Sequence, residues 1–513
     1  MNHNHRTQPL LLANASQSRE IDRQTIESLG LPGETLMEIA GFGAAGIIGG
    51  DFPHGGSVLF VCGKGNNAGD AFVAARILLD RGFAITIFPV FGTDDLSGDA
   101  GRNYQRLMGL AKSMDTGVDV WSKWRDPSDY DLVVDGIFGT GLQREVKDPV
   151  TGVIQKINQC MKPVYALDIP SGLHCDSGEV LGTAVHASKT LQFGLRKLGC
   201  HLGSGPALSG ERTLIPLPFP NVYKKAVTIR LVDEAYDPDA DLGDVRPTGR
   251  SNLHKYSNGV VHVIGGSTGL TGAPLYAGRA AWALGMGAVQ LIHPHGWLSA
   301  MDLHAPELIK KPVGPAGAES FTSDDIDTTL SIINEREGVT VIGPGIGRNP
   351  GTMEFVRGVI GRSEGPIIVD ADGLRALHGS FKTITDRKHP ELVILTPHPG
   401  ELAFLAGESF DNDFERMKLT SRVARHTGCT VLAKGNPVLV HASPENQTLL
   451  TGYDTSGFAR AGFGDILAGH ISAFLARGNT SLRSCENGLL HGHIKLSQIA
   501  AQGTRFPEPY DLI

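Results

Sequence analysis

The apolar positions of this chain fall into two patterns that alternate. Two helical patterns open it. In the second, Leu36, Ile39, Ala40, Gly43, Ala44 and Ile47 recur on one helix face. Short apolar runs follow at 58–62, 84–88, 132–135 and 164–169, separated by helical stretches such as 71–80. Runs this short and this uniformly apolar suit strands buried on both faces, so the spacing predicts a mostly parallel sheet covered by helices. From about 232 to 258 the pattern lapses into a polar stretch, beginning Asp233-Glu234-Ala235-Tyr236-Asp237-Pro238-Asp239 and running on through Pro247 and Gly249. It reads as a linker, with enough chain on each side to fold alone. A second strand–helix series starts at 259–264 and continues through 288–292, 339–343, 367–370, 392–396 and 430–433. Long helical patterns close it after Asp465 and after Glu486. The halves share no motif and contain no short repeat. The expectation is two unrelated α/β domains, 1–228 and 229–513.

Composition narrows the class. At 513 residues the chain exceeds one ordinary core, and 66 glycines suit the many tight turns of α/β enzymes. The formal net charge of -8 is small for this length and no Lys/Arg-rich run occurs, so neither nucleic acid nor an anionic membrane is expected as a partner. Cys62, Cys160, Cys175, Cys200, Cys429 and Cys485 are scattered without a Cys-x-x-Cys pair, as in a reduced cytoplasmic protein. The start lacks the apolar stretch of a signal peptide, and no apolar run approaches a membrane span. The Asn-x-Ser/Thr triplets at Asn14, Asn446 and Asn479 therefore carry no glycosylation meaning.

In the first half, Gly63-Lys64-Gly65-Asn66-Asn67-Ala68-Gly69-Asp70 follows a strand and opens a helix. Small residues let backbone approach a ligand there, and helix-start N–H groups favour an anion. A plain strand-to-helix turn is the competing reading. Two further strand ends carry polar clusters, Val134-Asp135-Gly136-Ile137-Phe138-Gly139-Thr140-Gly141 and Leu167-Asp168-Ile169-Pro170-Ser171-Gly172. Three such ends converging on one crevice would bring Asn67, Asp135 and Ser171 together, with oxygen donors suited to a hard cation rather than zinc.

In the second half, Arg460-Ala461-Gly462-Phe463-Gly464-Asp465 reads as a small-residue loop opening a buried helix. Its N–H groups could cradle a phosphoryl group, and Asp465 could take the proton of an attacking hydroxyl. Taken alone, Asp465 reads more readily as an ordinary first-turn residue, where Asp is favoured anyway. Lys434-Gly435-Asn436-Pro437-Val438 could hold a nucleotide phosphate, and Gly343-Pro344-Gly345-Ile346-Gly347 permits close approach. Asp370 and Asp372 end one strand, serving either magnesium or a capped turn, and His398 lies between prolines at the end of the next. His293/His295 and His491/His493 lack a third ligand at metal spacing and are discounted.

Gly30-Leu-Pro-Gly-Glu-Thr-Leu-Met-Glu-Ile-Ala-Gly41, the Asn-Asn-x-Gly-Asp loop, Asp-Gly-Ile-Phe-Gly-Thr-Gly and Asp-Ile-Pro-Ser-Gly together resemble the NAD(P)H-hydrate epimerase (YjeF N-terminal) domain, over roughly 16–218. The resemblance implies a Rossmann-like domain with potassium at Asn67, Asp135 and Ser171. Hydrated nicotinamide nucleotide would lie against Asn66, Asn67, Ala68, Gly69, Asp70, Gly139, Thr140, Gly141, Leu142, Gln143, Arg144, Glu145 and Asp168. Asp168 would be catalytic, shuttling a proton as the R and S hydrates interconvert at ring carbon C6. Ala68 and Ala71 depart from glycines usual in this loop.

From about 254 onward, Gly265-Gly-Ser-x-Gly269 with Gly272-Ala273, Gly343-Pro-Gly-Ile-Gly347, Asp370-Ala-Asp-Gly373, Thr396-Pro-His-Pro-Gly-Glu401 and Gly462-Phe-Gly-Asp465 resemble the ADP- or ATP-dependent NAD(P)H-hydrate dehydratase domain of the ribokinase-like superfamily. The resemblance implies that Lys434, Gly435, Asn436, Pro437, Val438 and Gly464 contact AMP or ADP, with Mg2+ accompanying the nucleotide. Ala273, Gly347, His398 and Asp465 would meet the hydrated substrate, Asp465 as catalytic base. Phe463, Arg460 and Ala461 depart from the smaller residues usual there. A homo-oligomer acting on small molecules is expected. The alternative is a ribokinase-like kinase fused to a non-catalytic nucleotide-binding module.

Overall fold

The computed structural model describes residues 10–233, 258–503 and 507–513. Most of the predicted linker falls at 234–257, outside the described residues. The described residues divide into two compact units: Leu11–Thr228 with Asn412–Phe414, and Ile229–Asp411 with Glu415–Ile513.

The first unit is built on a seven-stranded parallel sheet. In chain order its strands are β1 (Ser57–Cys62), β2 (Ala84–Pro89), β3 (Asp119–Val120), β4 (Leu132–Gly136), β5 (Val164–Leu167), β6 (Lys189–Phe193) and β7 (Glu211–Ile215). In space they run β3-β2-β1-β4-β5-β6-β7. The order reverses direction between β1 and β4, so a crevice opens beyond their carboxyl ends. Helices α1 (Ala15–Glu27), α2 (Gly33–Asp51), α3 (Asn66–Asp80), α4 (Gly98–Ser113) and α5 (Val150–Gln159) accompany the sheet.

Two expectations need correction here. Helix α3 begins at Asn66 rather than at residue 71, so the asparagine-rich stretch is itself the first helical turn. In α2 the buried face is Leu36, Met37, Ala40, Gly41, Ala44, Ala45 and Ile48, rotated from the predicted one. The cause is close packing on α3: a side chain on Gly41 would begin 2.4 Å from Val73 and 2.8 Å from the Asp70 carbonyl. Small residues, more than large ones, select the contact face.

The second unit has strands β8 (Ile229–Val232), β9 (Val260–Ile264), β10 (Ala288–Pro294), β11 (Ile309–Val313), β12 (Val339–Ile342), β13 (Ile367–Val369), β14 (Val393–Leu395), β15 (Thr430–Ala433), β16 (Leu439–Ala442) and β17 (Gln447–Thr451). They run β11-β10-β9-β12-β13-β14-β15-β16-β17-β8. The ladder is parallel from β11 to β15; β16 and β17 then form an antiparallel hairpin, and β8 adds parallel to β17. The switch in strand order lies between β9 and β12. Helices α6 (Gly272–Ala283), α7 (Pro399–Ala406), α8 (Phe463–Ala476) and α9 (Ser481–Ala501) flank this sheet. Among the described residues no helix is long and apolar enough to cross a membrane.

Candidate active sites

The crevice of the first unit holds a cavity of about 1100 Å³. Asn66, Asn67 and Asp70 line it from α3, Gly139 to Glu145 from the segment after β4, and Asp168 from the end of β5. Ala68 and Gly69 do not line it. Both are buried, and a side chain on Gly69 would begin 2.5 Å from the Met37 sulfur. Neither Ala68 nor Ala71 stands at positive φ, so the extra methyls cost α3 no backbone strain.

Beneath the cavity lie Asn67, Asp135 and Ser171, brought together as expected. The Ser171 hydroxyl donates to Asp135 Oδ1 at 2.6 Å, and the backbone N–H groups of Ser171 and Ile137 donate to the same carboxylate at 2.8 and 3.1 Å. The Phe138 N–H donates to Ser171 Oγ at 2.8 Å, while Asn67 Nδ2 donates to the Phe138 carbonyl at 3.0 Å. Asn67 Oδ1 is buried with no hydrogen-bond partner. An orphaned buried acceptor beside other oxygen atoms is what a hard, weakly polarising cation requires. Burial pushes Asp135 up to about 6, and the hydrogen bonds from Ser171 and Ile137 pull against it.

Asp168 sits at φ 66, a left-handed conformation uncommon for a non-glycine residue. Its Oδ1 accepts from the Phe193 N–H at 3.3 Å and pairs with Lys197 Nζ at 2.7 Å. Lys197 is 3% exposed, and its ammonium also donates to the Phe193 and Leu195 carbonyls. Burying an ammonium so completely is tolerable only because three acceptors meet it. Asp22, from α1, faces the same cavity; burial and the Asp168 charge raise its carboxyl to about 6, while Lys197 opposes them. Burial, then Asp168 and Asp22, holds Asp70 well above the carboxylate range. Sequence reasoning missed Asp22 and Lys197. Neither belongs to a glycine-rich strand end, the one signal that marked the rest.

In the second unit the strand ends of β13, β14 and β15 meet the start of α8. Asp370 is 1% exposed; its Oδ1 accepts from Thr396 Oγ1 at 2.7 Å and from Lys434 Nζ at 2.6 Å. Burial opposes the Lys434 charge, but the Asp370 charge and hydrogen bond more than offset it and hold the ammonium above its ordinary pKa. A side chain on Gly464 would begin 3.0 Å from Lys434 Nζ, so glycine lets the lysine reach the helix start. Helix α8 has Gly462 at its N-cap, at φ 95 and with no side-chain cap, leaving the helix start open to an anion. Burial pushes Asp465 up to about 7, with Asp370 and Glu401 adding to it and Lys434 opposing.

His398 caps α7, its Nδ1 accepting from the Glu401 N–H at 3.2 Å, and its imidazole is 57% exposed. Burial and then Lys434 lower its pKa. Gly347 packs on Ser267, and Ala273 stands half-buried in the first turn of α6, whose Tyr276 reaches Gly462. Within 434–438 the side chains divide. Lys434 faces the carboxylate cluster, whereas Asn436 donates to Asp454 and accepts from Thr455. The Val438 N–H donates to Thr451, and the Pro437 carbonyl accepts from buried Arg416. Phe463 is buried among Ala280, Ile466 and Leu512, and Arg460 donates to the Pro507 carbonyl. Asp372 is paired with Arg348 at 2.7 Å.

Residues 33–199 match the family described as YjeF-related protein N-terminus, and residues 261–507 match the family described as NAD(P)H-hydrate dehydratase. Three relatives match across both halves, each named bifunctional NAD(P)H-hydrate repair enzyme Nnr. That of Salinibacter ruber is 33% identical over 496 residues, covering 94% of this chain and 90% of the relative. The Moorella thermoacetica protein is 32% identical over 498 residues, covering 94% and 91%. For Thermofilum pendens the figures are 31% over 470 residues, 91% and 88%.

Proposed function

Because this chain belongs to the bifunctional NAD(P)H-hydrate repair enzyme family, we propose that its two units carry out successive steps of one repair. The first interconverts the R and S hydrates of NADH and NADPH; the second dehydrates the S hydrate at the expense of ADP. The observation that carries this reading is that relatives match over both units and each unit assembles its own motif set around a perturbed carboxylate. A small-molecule kinase with a silent first module is not favoured, since the relatives carry the paired name along both halves.

In the first site, Asn67, Asp135 and Ser171 would hold potassium, which supplies positive charge to an oxygen-lined floor. The support is the partnerless Asn67 oxygen. Gly139 to Glu145, Asn66 and Asp70 would bind and orient the nucleotide, and Asp168 would take up a proton during epimerisation.

In the second site, Asp465 would take the proton of the C6 hydroxyl, whose oxygen then attacks the terminal phosphorus of ADP as AMP leaves. Phosphate departs next with that oxygen, and loss of the C5 proton forms the restored ring. A carboxyl near pH 7 is suited to moving a proton at neutral pH. Lys434 and the open start of α8 would hold the phosphoryl group during transfer. Asp370 and Asp372 are already ion-paired, so Mg2+ would arrive on the nucleotide's phosphates rather than on a protein carboxylate pair. Among 434–438, backbone and Lys434 would contact nucleotide, the other side chains supporting the loop. The free, mostly buried thiols support a reducing, cytoplasmic setting. A homo-oligomer is part of the same reading, and light scattering of the purified chain tests it. The deciding experiment separates R and S hydrates by chromatography with ADP added or withheld. Both epimers should vanish with ADP, and only interconversion should occur without it.

A further inference from the structure

On α1, Ser18, Asp22 and Ile26 stand one turn apart on the face lining the first unit's cavity, while Ile21 and Thr25 are buried. Asp22 is unlike Asp135 and Asp168. Asp135 is closed off and accepts three hydrogen bonds, and Asp168 is fixed by Lys197. Asp22 is half-buried, forms no hydrogen bond or ion pair among the described residues, and opens into the cavity. The charged groups that act on it are Lys197 beyond β6, Asp168 at the end of β5 and Asp70 on α3. Arg19 on its own helix and Asp99 on α4 also line the cavity.

Asp22, Asp70 and Asp168 therefore share one neighbourhood with a single buried ammonium, and that ammonium is bonded to Asp168. Where like charges crowd a poorly hydrated site, the groups without a partner hold their protons to higher pH. The cavity thus combines a paired carboxylate with an unpaired carboxyl that releases its proton closer to neutral pH. Epimerisation needs both. The R and S hydroxyls lie on opposite faces of the ring, so one group cannot deliver a proton to the departing oxygen and also remove one from the arriving water.

We propose that Asp22 is a second catalytic residue of the epimerase site, serving the ring hydroxyl that Asp168 does not. The assignment rests on the epimerase reading above. Asp22 gives its proton to the C6 hydroxyl; the C6–O bond breaks with its electron pair on the departing water, and the N1 lone pair forms an N1=C6 bond. Water then adds at the other face, its spare proton passes to Asp168, and the π pair returns to N1. Atoms and charge balance, with one proton moved from Asp22 to Asp168. The resulting state runs the reverse reaction, and exchange with solvent resets it.

The test uses the full chain with ADP withheld, following R-to-S conversion of NADH hydrate across about pH 5–9. An acid must be protonated to act, so wild-type kcat should fall as pH rises through the Asp22 titration. Asp22→Asn should lower kcat about 10²-fold with KM within about twofold, and should abolish that high-pH fall. Asp22→Glu should restore part of kcat and the fall with it. Asp22→Asn with near wild-type kcat, or with an unchanged pH profile, overturns the assignment. So does Asp22→Glu no faster than Asp22→Asn when both melt like wild type. A wild-type chain that leaves R hydrate at its spontaneous rate overturns the epimerase reading itself.

Discussion

Lys434 and Asp370 form a 2.6 Å ion pair in which the carboxylate is 1% exposed and the ammonium 21%. Removing only the cation strands a buried charge. Lys434→Met should therefore destabilise the second unit by about 3 kcal/mol, and adding Asp370→Asn should recover part of that loss. Denaturant midpoints of the two variants decide it; a double variant no more stable than the single one would contradict the pairing argument.

Gly464→Ala puts a methyl 3.0 Å from Lys434 Nζ, a flexible end that can move aside. Stability should change little. The displaced ammonium should raise KM for ADP by about tenfold, the loss of one charge-assisted contact of about 1.4 kcal/mol. Epimerisation should be unaffected. Steady-state dehydration at varied ADP reads the effect, and an unchanged KM would remove Lys434 from the nucleotide site.

Asp465→Asn should cut dehydration at least about 10²-fold while leaving R and S hydrates equilibrating. Asp168→Asn should do the reverse, with S consumed and R persisting. Wild-type dehydration should rise with pH up to about 7, because a base must first lose its proton. Stability runs the other way. The folded chain holds the Asp465 proton up to about 7, against 3.8 for the ordinary carboxyl, so the stabilisation from that proton is lost as pH rises through this interval. Asp465→Asn should consequently gain melting temperature over wild type at pH 8 and lose that advantage toward pH 4. A pH-independent difference would show that burial does not govern this carboxyl.

Asp135→Ala should abolish potassium dependence of epimerisation and weaken hydrate binding. Titrating potassium into wild type and variant, with sodium as control, checks it. Full wild-type activity in potassium-free buffer would reject the cation.

A cut near Asp239, in the polar stretch, would remove β8 from the unit it completes. That strand pairs with β17 from Ile229↔Thr448 to Val232↔Thr451. The fragment 229–513 should be soluble and active in dehydration, and 240–513 should aggregate or melt earlier through its bared sheet edge. Equal solubility and melting of the two fragments would refute the strand's importance.

Most strands of both sheets were legible because they are short, apolar and buried on both faces. Two of those that escaped have clear physical reasons. Ile309-Lys310-Lys311-Pro312-Val313 is an edge strand whose lysines and proline suit an unpaired side, and they erase the apolar signature. Lys189-Thr190-Leu191-Gln192-Phe193 carries polar residues inside the sheet. The strand-end loops of both sites were visible in their glycines, since close approach restricts residue type. Asp22 and Lys197 were not. Each lines the cavity through a side chain reaching in from ordinary secondary structure, and such a position leaves no local constraint to read.

Phe463 opens α8 next to the residue that would touch phosphate, yet its ring points away, packed with Ala280, Ile466 and Leu512. Position 463 is thus a core position that happens to be spelled inside a ligand loop. Its identity answers to the size of the chain's closing residues and of α6, and substitutions there should be compensated at Leu512 or Ala280 rather than at any phosphate contact. Defined as a string of small letters, the loop excludes this chain; defined as a backbone path, it includes it.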